Sequence, residues 1–171
     1  MNTIVFVCGK LCCGKNTICK QLQNIFVESK HIVVSDVVKH ITGFISRANL
    51  QSTSHLDKEI SKYIVEQLQP NGVTIIDGIR QPEIYENIIS TTPDSKIITI
   101  WIESSPHIRK ERFEQRRDIK DSSSKTFEQY ELGDIALGID NLRSKIPFIV
   151  FDNNDHTLDI TNLIDTINSL S

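Results

Sequence analysis

"TIVFVCGKLCCGKNT", residues 3–17, decides how the rest of the chain is read. Its first six residues are a short apolar, β-rich run, the pattern of a strand buried on both faces. Gly9, Gly14 and Lys15 then fit the spacing GxxxxGK. Glycines there let the backbone turn tightly, so that successive amides point inward at phosphate oxygens. Ile18, Leu22, Ile25 and Phe26 follow at helical spacing. The loop therefore feeds a helix whose positive N-terminal end adds to the attraction for an anion. Lys15 can reach the outer phosphates of a nucleotide. GxxxxGK alone is a weak signal, but here it has the strand before it and the helix after it that the motif requires.

Outward from this stretch, strand-like and helix-like segments alternate. "HIVVS" (31–35), "GVTIID" (72–77), "KIITIWIE" (96–103) and "FIVFDN" (148–153) read as four more strands. Helical patterns cover 36–48, 54–69, 82–90, 105–117, 126–142 and 157–169, and "DIKDSSSKT" (118–126) has loop composition. Apolar strands alternating with helices predict an α/β fold, a parallel sheet covered on both faces. No repeat or interdomain linker interrupts the pattern, so residues 1–171 are expected to form one domain.

With 171 residues the chain can bury a real core. Its net charge of −3 implies no general affinity for nucleic acid or acidic membrane. No apolar run approaches the roughly 20 residues that span a bilayer, and no secretory signal is evident. Cys8, Cys12, Cys13 and Cys19 crowd into the first part of the chain. That spacing suits neither a distributed disulfide framework nor paired CxxC zinc ligands. Free thiols in a reducing compartment are expected, hence a cytoplasmic protein. Oriented amides and Lys15 would favour a thiolate at Cys12 or Cys13; the plainer reading is that small polarisable residues fill variable loop positions. His31, His40, His55, His107 and His156 show no metal-ligand spacing, and Trp101 reads as core.

The segment "GKNT" is similar to the "GKGT" of adenylate kinases and other nucleoside monophosphate kinases. Asn16 stands where many phosphate loops carry a magnesium-binding hydroxyl, and Thr17 offers one a residue later. In the resembling group magnesium is held largely through water, so Asn16 argues against switch-type GTPases and motor-type ATPases rather than against phosphate binding. "IVVSDVVK" places Asp36 and Lys39 where these kinases have "GD..R". Lysine keeps the charge of that arginine but not its two-pronged geometry. "VTIIDGIRQPE" resembles a Walker B strand followed by "DG..R": Asp77 can hold magnesium's water shell, Gly78 lets a substrate approach, and Arg80 would contact the acceptor phosphate. Its spacing is similar to the "DGIR" of dephospho-CoA-kinase-like proteins and the "D.RQ" of phage deoxynucleoside monophosphate kinases.

In "SSPHIRKERFEQRRD", Arg109, Arg112 and Arg116 share a helical face, with Arg117 beside them. The resemblance makes this the helix that leads into a lid and supplies arginines to the phosphoryl group in transfer, Arg112, Arg116 and Arg117 first. "EQYELGDIALGID" keeps the leucine-glycine and glycine-isoleucine pairs of the return segment. The arginine that many relatives carry there is absent; Glu128, Glu131 and Asp134 stand instead. Asn153 falls where a donor base commonly rests.

The resemblance thus implies a three-layer α/β/α P-loop NTPase fold with a five-stranded parallel sheet, order 2-3-1-4-5. It also implies an acceptor-binding segment at about 36–69 and a small lid at about 118–134. Gly9, Cys12, Cys13, Gly14, Lys15, Asn16 and Thr17 would hold the phosphates of ATP. Thr17 and Asp77 would place Mg2+, and Asp36, Lys39, Asp77, Gly78 and Arg80 would face the acceptor. The implied reaction moves the γ-phosphate of ATP to a nucleoside or deoxynucleoside monophosphate, with dephospho-CoA the alternative acceptor. A non-catalytic nucleotide-binding switch or adaptor is the reading from another class. Small nucleotides are the expected partners, with no nucleic acid and no membrane, in a monomer or homodimer.

Overall fold

The computed structural model describes residues 2–43, 56–120, 125–154, 160–161 and 163–165, with residues 117–120 described by their backbone alone. Five strands, β1 (Thr3–Cys8), β2 (Lys30–Val33), β3 (Val73–Asp77), β4 (Lys96–Glu103) and β5 (Ile149–Asp152), form one parallel sheet. Its order is β2-β3-β1-β4-β5, as the resemblance implied. β1 lies at the centre, Val5 opposite Ile75 on one side and Ile98 on the other. The helices are α1 (Lys15–Ile25), α2 (Val34–Thr42), α3 (Asp57–Glu66), α4 (Pro82–Thr91), α5 (Pro106–Lys120), α6 (Phe127–Ala136) and α7 (Ile139–Lys145).

The unbroken apolar run of β1 is explained by its two covered faces. Ile4, Phe6 and Cys8 pack toward α2, α3, α4 and α7, against Val37, Ile60, Ile84 and Leu142. Val5 and Val7 pack toward α1, against Ile18, Cys19 and Leu22. Each such fully buried aliphatic side chain contributes about 1.5–3 kcal/mol from transfer alone. A third, smaller cluster joins Leu11 and Cys12 of the loop after β1 to Phe113 of α5 and to Phe127 and Tyr130 of α6. That cluster ties the loop to the segment expected as a lid.

Several boundaries differ from the sequence pattern. "HIVVS" stops being a strand at Val33, because α2 begins directly at Val34. α2 closes at Gly43, whose left-handed backbone (φ 70°) ends the helix; the expected continuation to 48 lies outside the described residues. The helix read over 126–142 is two helices, broken where Gly138 takes φ 101° and starts α7. α5 runs on to Lys120, into the tract read as loop. Of the expected closing helix over 157–169, residues 160, 161 and 163–165 are described; 161 and 163–165 are helical and 160 is not. No helix among the described residues is long and apolar enough to cross a membrane.

Candidate functional site

The loop from Gly9 to Gly14 leaves the end of β1 and turns into α1. Gly14 caps that helix in a left-handed conformation (φ 103°) with no side-chain hydrogen bond, so a phosphate oxygen can take the place a capping side chain would fill. Cys12 is also left-handed (φ 58°), and alternation of this kind is what turns successive amides to one side in an anion-binding nest. Lys15 reaches back across the turn: Nζ donates to the carbonyls of Gly9 (2.7 Å) and Lys10 (3.0 Å) and lies 3.7 Å from Cys13 Sγ. The ammonium thus sits where outer phosphate oxygens would be received. A cradle of this shape fits a nucleotide's phosphates.

The loop has no room to change. A Cβ on Gly9, whose φ is 148°, would stand 2.6 Å from Cys13 Sγ and 2.7 Å from the Ile102 carbonyl oxygen. Gly9→Ala is therefore expected to force the loop open. A strained left-handed residue costs about 1–3 kcal/mol, so nucleotide affinity measured by calorimetry should fall about tenfold or more.

The outer wall is built from β4, α5 and the turn after β5. Asn153 is buried and donates from Nδ2 to the Cys13 carbonyl at 2.7 Å. Its amide thus braces the loop, although the sequence pattern put it beside a donor base. Arg112 donates to the carbonyls of Asn153 (3.0 Å) and Cys13 (3.4 Å) and to Ser104 Oγ (3.2 Å). Arg116 Nη1 approaches Cys12 Sγ at 3.8 Å. The Arg117 side chain lies outside the described residues. Arg109, which shares their face but was not expected to act, is buried. It bonds the carbonyls of Ser104 (3.1 Å) and Leu11 (3.3 Å) and pairs with Glu131 of α6.

On the other side, Arg80 Nε pairs with Asp134 at 2.8 Å, the carboxylate buried. Lys110 pairs with Glu128, which raises the pKa of the lysine and lowers that of the acid. All three acids standing in the segment without a return arginine therefore hold a base from elsewhere. α6 supplies no arginine to the site; it orients Arg80 and Arg109. Asp36 and Lys39 form an exposed pair at 2.7 Å on α2. Gly78 (φ 88°) bonds Val7 through its amide, and a Cβ there would meet nothing within 4 Å, so space opens in front of it. Asn16 and Thr17 are exposed on the first turn of α1.

Asp77 ends β3, buried, with His31 Nε2 3.6 Å from Oδ2. The Cys19 thiol sulfur lies within 4.8 Å of its carboxylate. Burial raises the Cys19 thiol well above its ordinary pKa and pushes Cys8 up to about 12. Sequence spacing gave no sign of His31. The signal lies in the pairing: His31 sits opposite Ile75 and Val33 opposite Asp77, so His31 and Asp77 share the face that α1 covers.

The model of the AAA domain family matches residues 5–131. A protein of Thermococcus onnurineus (strain NA1) named only as a UPF0200 protein is 26% identical over 162 residues, covering 86% of each chain. Among solved structures, a protein of Chloroflexus aurantiacus J-10-fl assigned as a kinase superimposes with a TM-score of 0.69 at 16% identity, over 99% of this chain and 98% of that one. Shikimate kinase from Acinetobacter baumannii, in complex with shikimate, gives 0.63 at 11% identity, over 99% and 93%. At such identities the structures share the fold with this chain.

Proposed function

The chain belongs to the AAA domain family, and from that premise we propose that it is an ATP-dependent phosphotransferase acting on a small phosphate-bearing acceptor, a nucleoside or deoxynucleoside monophosphate. The observation that carries the reading is the convergence of three cations on one loop. Lys15 bonds Gly9 and Lys10, Arg112 bonds Cys13, and Arg116 abuts Cys12. A site that only binds a nucleotide has little use for two arginines beside the lysine. A transferring phosphoryl group, with charge spread over its equatorial oxygens, is stabilised by them.

ATP would lie with its outer phosphates across the loop amides, Lys15 moving from the two carbonyls to phosphate oxygens. Arg112, already braced on Asn153 and Cys13, needs little reordering to meet developing charge. Arg80, held by Asp134, would present its remaining N–H groups to the acceptor phosphate, and Lys39 would add charge from α2. Thr17 and Asp77 would hold Mg2+, which would offset the charge of the phosphates. Closure of α5 and α6 over the loop would exclude water and so suppress hydrolysis. Positioning and electrostatics suffice, with no covalent intermediate.

A second reading, nucleotide binding without transfer, is favoured by one observation: Arg80 is already engaged with Asp134, and α6 offers no arginine of its own. The two part in one experiment, ADP formation from Mg-ATP across ribo- and deoxynucleoside monophosphates, dephospho-CoA and shikimate. A rise with one monophosphate supports the proposed reaction. A rise with dephospho-CoA or shikimate alone keeps the transferase and replaces its acceptor. Tight ATP binding with no response to any acceptor selects the second reading.

A further inference from the structure

Beneath the phosphate loop, three side chains from three elements converge: Cys19 of α1, His31 of β2 and Asp77 of β3. A thiol sulfur, an imidazole nitrogen and a carboxylate oxygen lie within 4.8 Å of one another. We propose that these three residues form a binding site for a thiophilic divalent cation of the zinc class.

Two independent features point the same way. His31 Nε2 is buried and has no hydrogen-bond partner in the protein. A polar atom left in that state is costly unless something fills its need. Second, the donor set is sulfur, nitrogen and oxygen. Magnesium prefers octahedral oxygen ligands, whereas zinc takes this mixture in tetrahedral geometry. Ligand atoms around tetrahedral zinc stand about 3.5 Å apart. The His31–Asp77 separation of 3.6 Å already meets that spacing. Cys19 Sγ lies within 4.8 Å of both atoms.

Charge also closes. The thiol loses its proton to solvent as the cation binds, so thiolate and carboxylate together neutralise the divalent charge. A neutral cluster is what a buried position tolerates. Burial opposes the thiolate in the metal-free protein, while the charge of Lys15 favours it. β2 is the sheet's edge strand, and His31 is partly exposed on it, which provides the approach. Three protein ligands leave a fourth position for water or a phosphate oxygen. On the phosphotransferase reading, a cation held here would withdraw Asp77 from magnesium and so inhibit transfer; the binding site itself does not depend on that reading.

The test is titration of the metal-free full chain with Co2+, followed by absorption. The expected result is one equivalent bound, with a thiolate-to-cobalt charge-transfer band and the visible bands of tetrahedral cobalt, both lost when Zn2+ is added. Cys19→Ser should remove the charge-transfer band, and His31→Gln should weaken cobalt binding about tenfold or more. Cys12→Ser should leave the spectrum unchanged. Circular dichroism establishes that each variant is folded, and Cys19→Ala serves if the serine variant is not. Absence of a charge-transfer band in the unaltered chain at micromolar cobalt overturns the proposal. So does a band that survives loss of the Cys19 sulfur. Neither readout involves a nucleotide, so failure here and failure of the phosphotransferase reading are told apart.

Discussion

Lys15→Ala should cut the proposed phosphoryl transfer about a hundredfold or more and leave the fold standing. The Lys15 ammonium is the charge placed directly on the loop, with its hydrogen bonds going to the carbonyls of Gly9 and Lys10. Lys10 is partly exposed, so its carbonyl can turn to water when the Lys15 ammonium is gone. The stability cost should stay near 1 kcal/mol, the usual net value of such bonds. In the transition state no comparable replacement exists. Removing one preorganised group from developing charge lowers kcat about 10²–10³-fold, and a lysine that also binds the ground-state phosphates should raise KM besides. Acceptor-stimulated ADP formation, run with a thermal melt on the same preparation, separates the effects. Unaltered turnover in a folded variant would remove Lys15 from the proposed mechanism.

The largest effect on stability should come from Arg109→Ala. Arg109 is 3% exposed and joins three parts of the molecule. Its guanidinium bonds the Leu11 carbonyl of the phosphate loop, the Ser104 carbonyl after β4 and the Glu131 carboxylate of α6, and lies 5.4 Å over the Phe127 ring. Truncation leaves Glu131 and two carbonyls without their donor in a largely enclosed place. Breaking a buried pair by removing one partner costs about 3–5 kcal/mol. At about 2–4 °C per kcal/mol for a chain of this size, the melting temperature should fall by about 6–20 °C. Arg112→Ala should cost less, because Arg112 is only partly buried and bonds neutral oxygens, so its loss strands no charge. A shift for Arg109→Ala no larger than that of Arg112→Ala would show that the two arginines are energetically equivalent, contrary to their burial.

The sequence carried the fold because its strands are short apolar runs buried on both faces and its phosphate loop carries its own local geometry. Gly9 and Gly14 are glycine for reasons visible in the spacing alone. Strand order came through the resemblance, since nothing in "TIVFVC" states that β1 pairs with β3 and β4. What stayed hidden was mostly long-range. His31 meets Asp77 only because β2 and β3 pair in one register. Arg109 and Arg112 occupy one helical face and look alike in the sequence, yet one is enclosed by α6 and the other is not. Gly138 inside an otherwise helical pattern could have been a tolerated residue; its left-handed backbone made it a break. Glu131 and Asp134 read as the lack of an arginine, whereas the fold uses them to hold two arginines in place.

The Asn153–Cys13 hydrogen bond joins residues 140 positions apart. During synthesis the phosphate loop leaves the ribosome well before the side chain that fixes its Cys13 carbonyl. Until β5 has docked at the sheet edge, the nascent loop lacks its brace. On the proposed function, a chain stalled before residue 153 would hold nucleotide poorly, and one whose β5 has docked would be stabilised by it against unfolding.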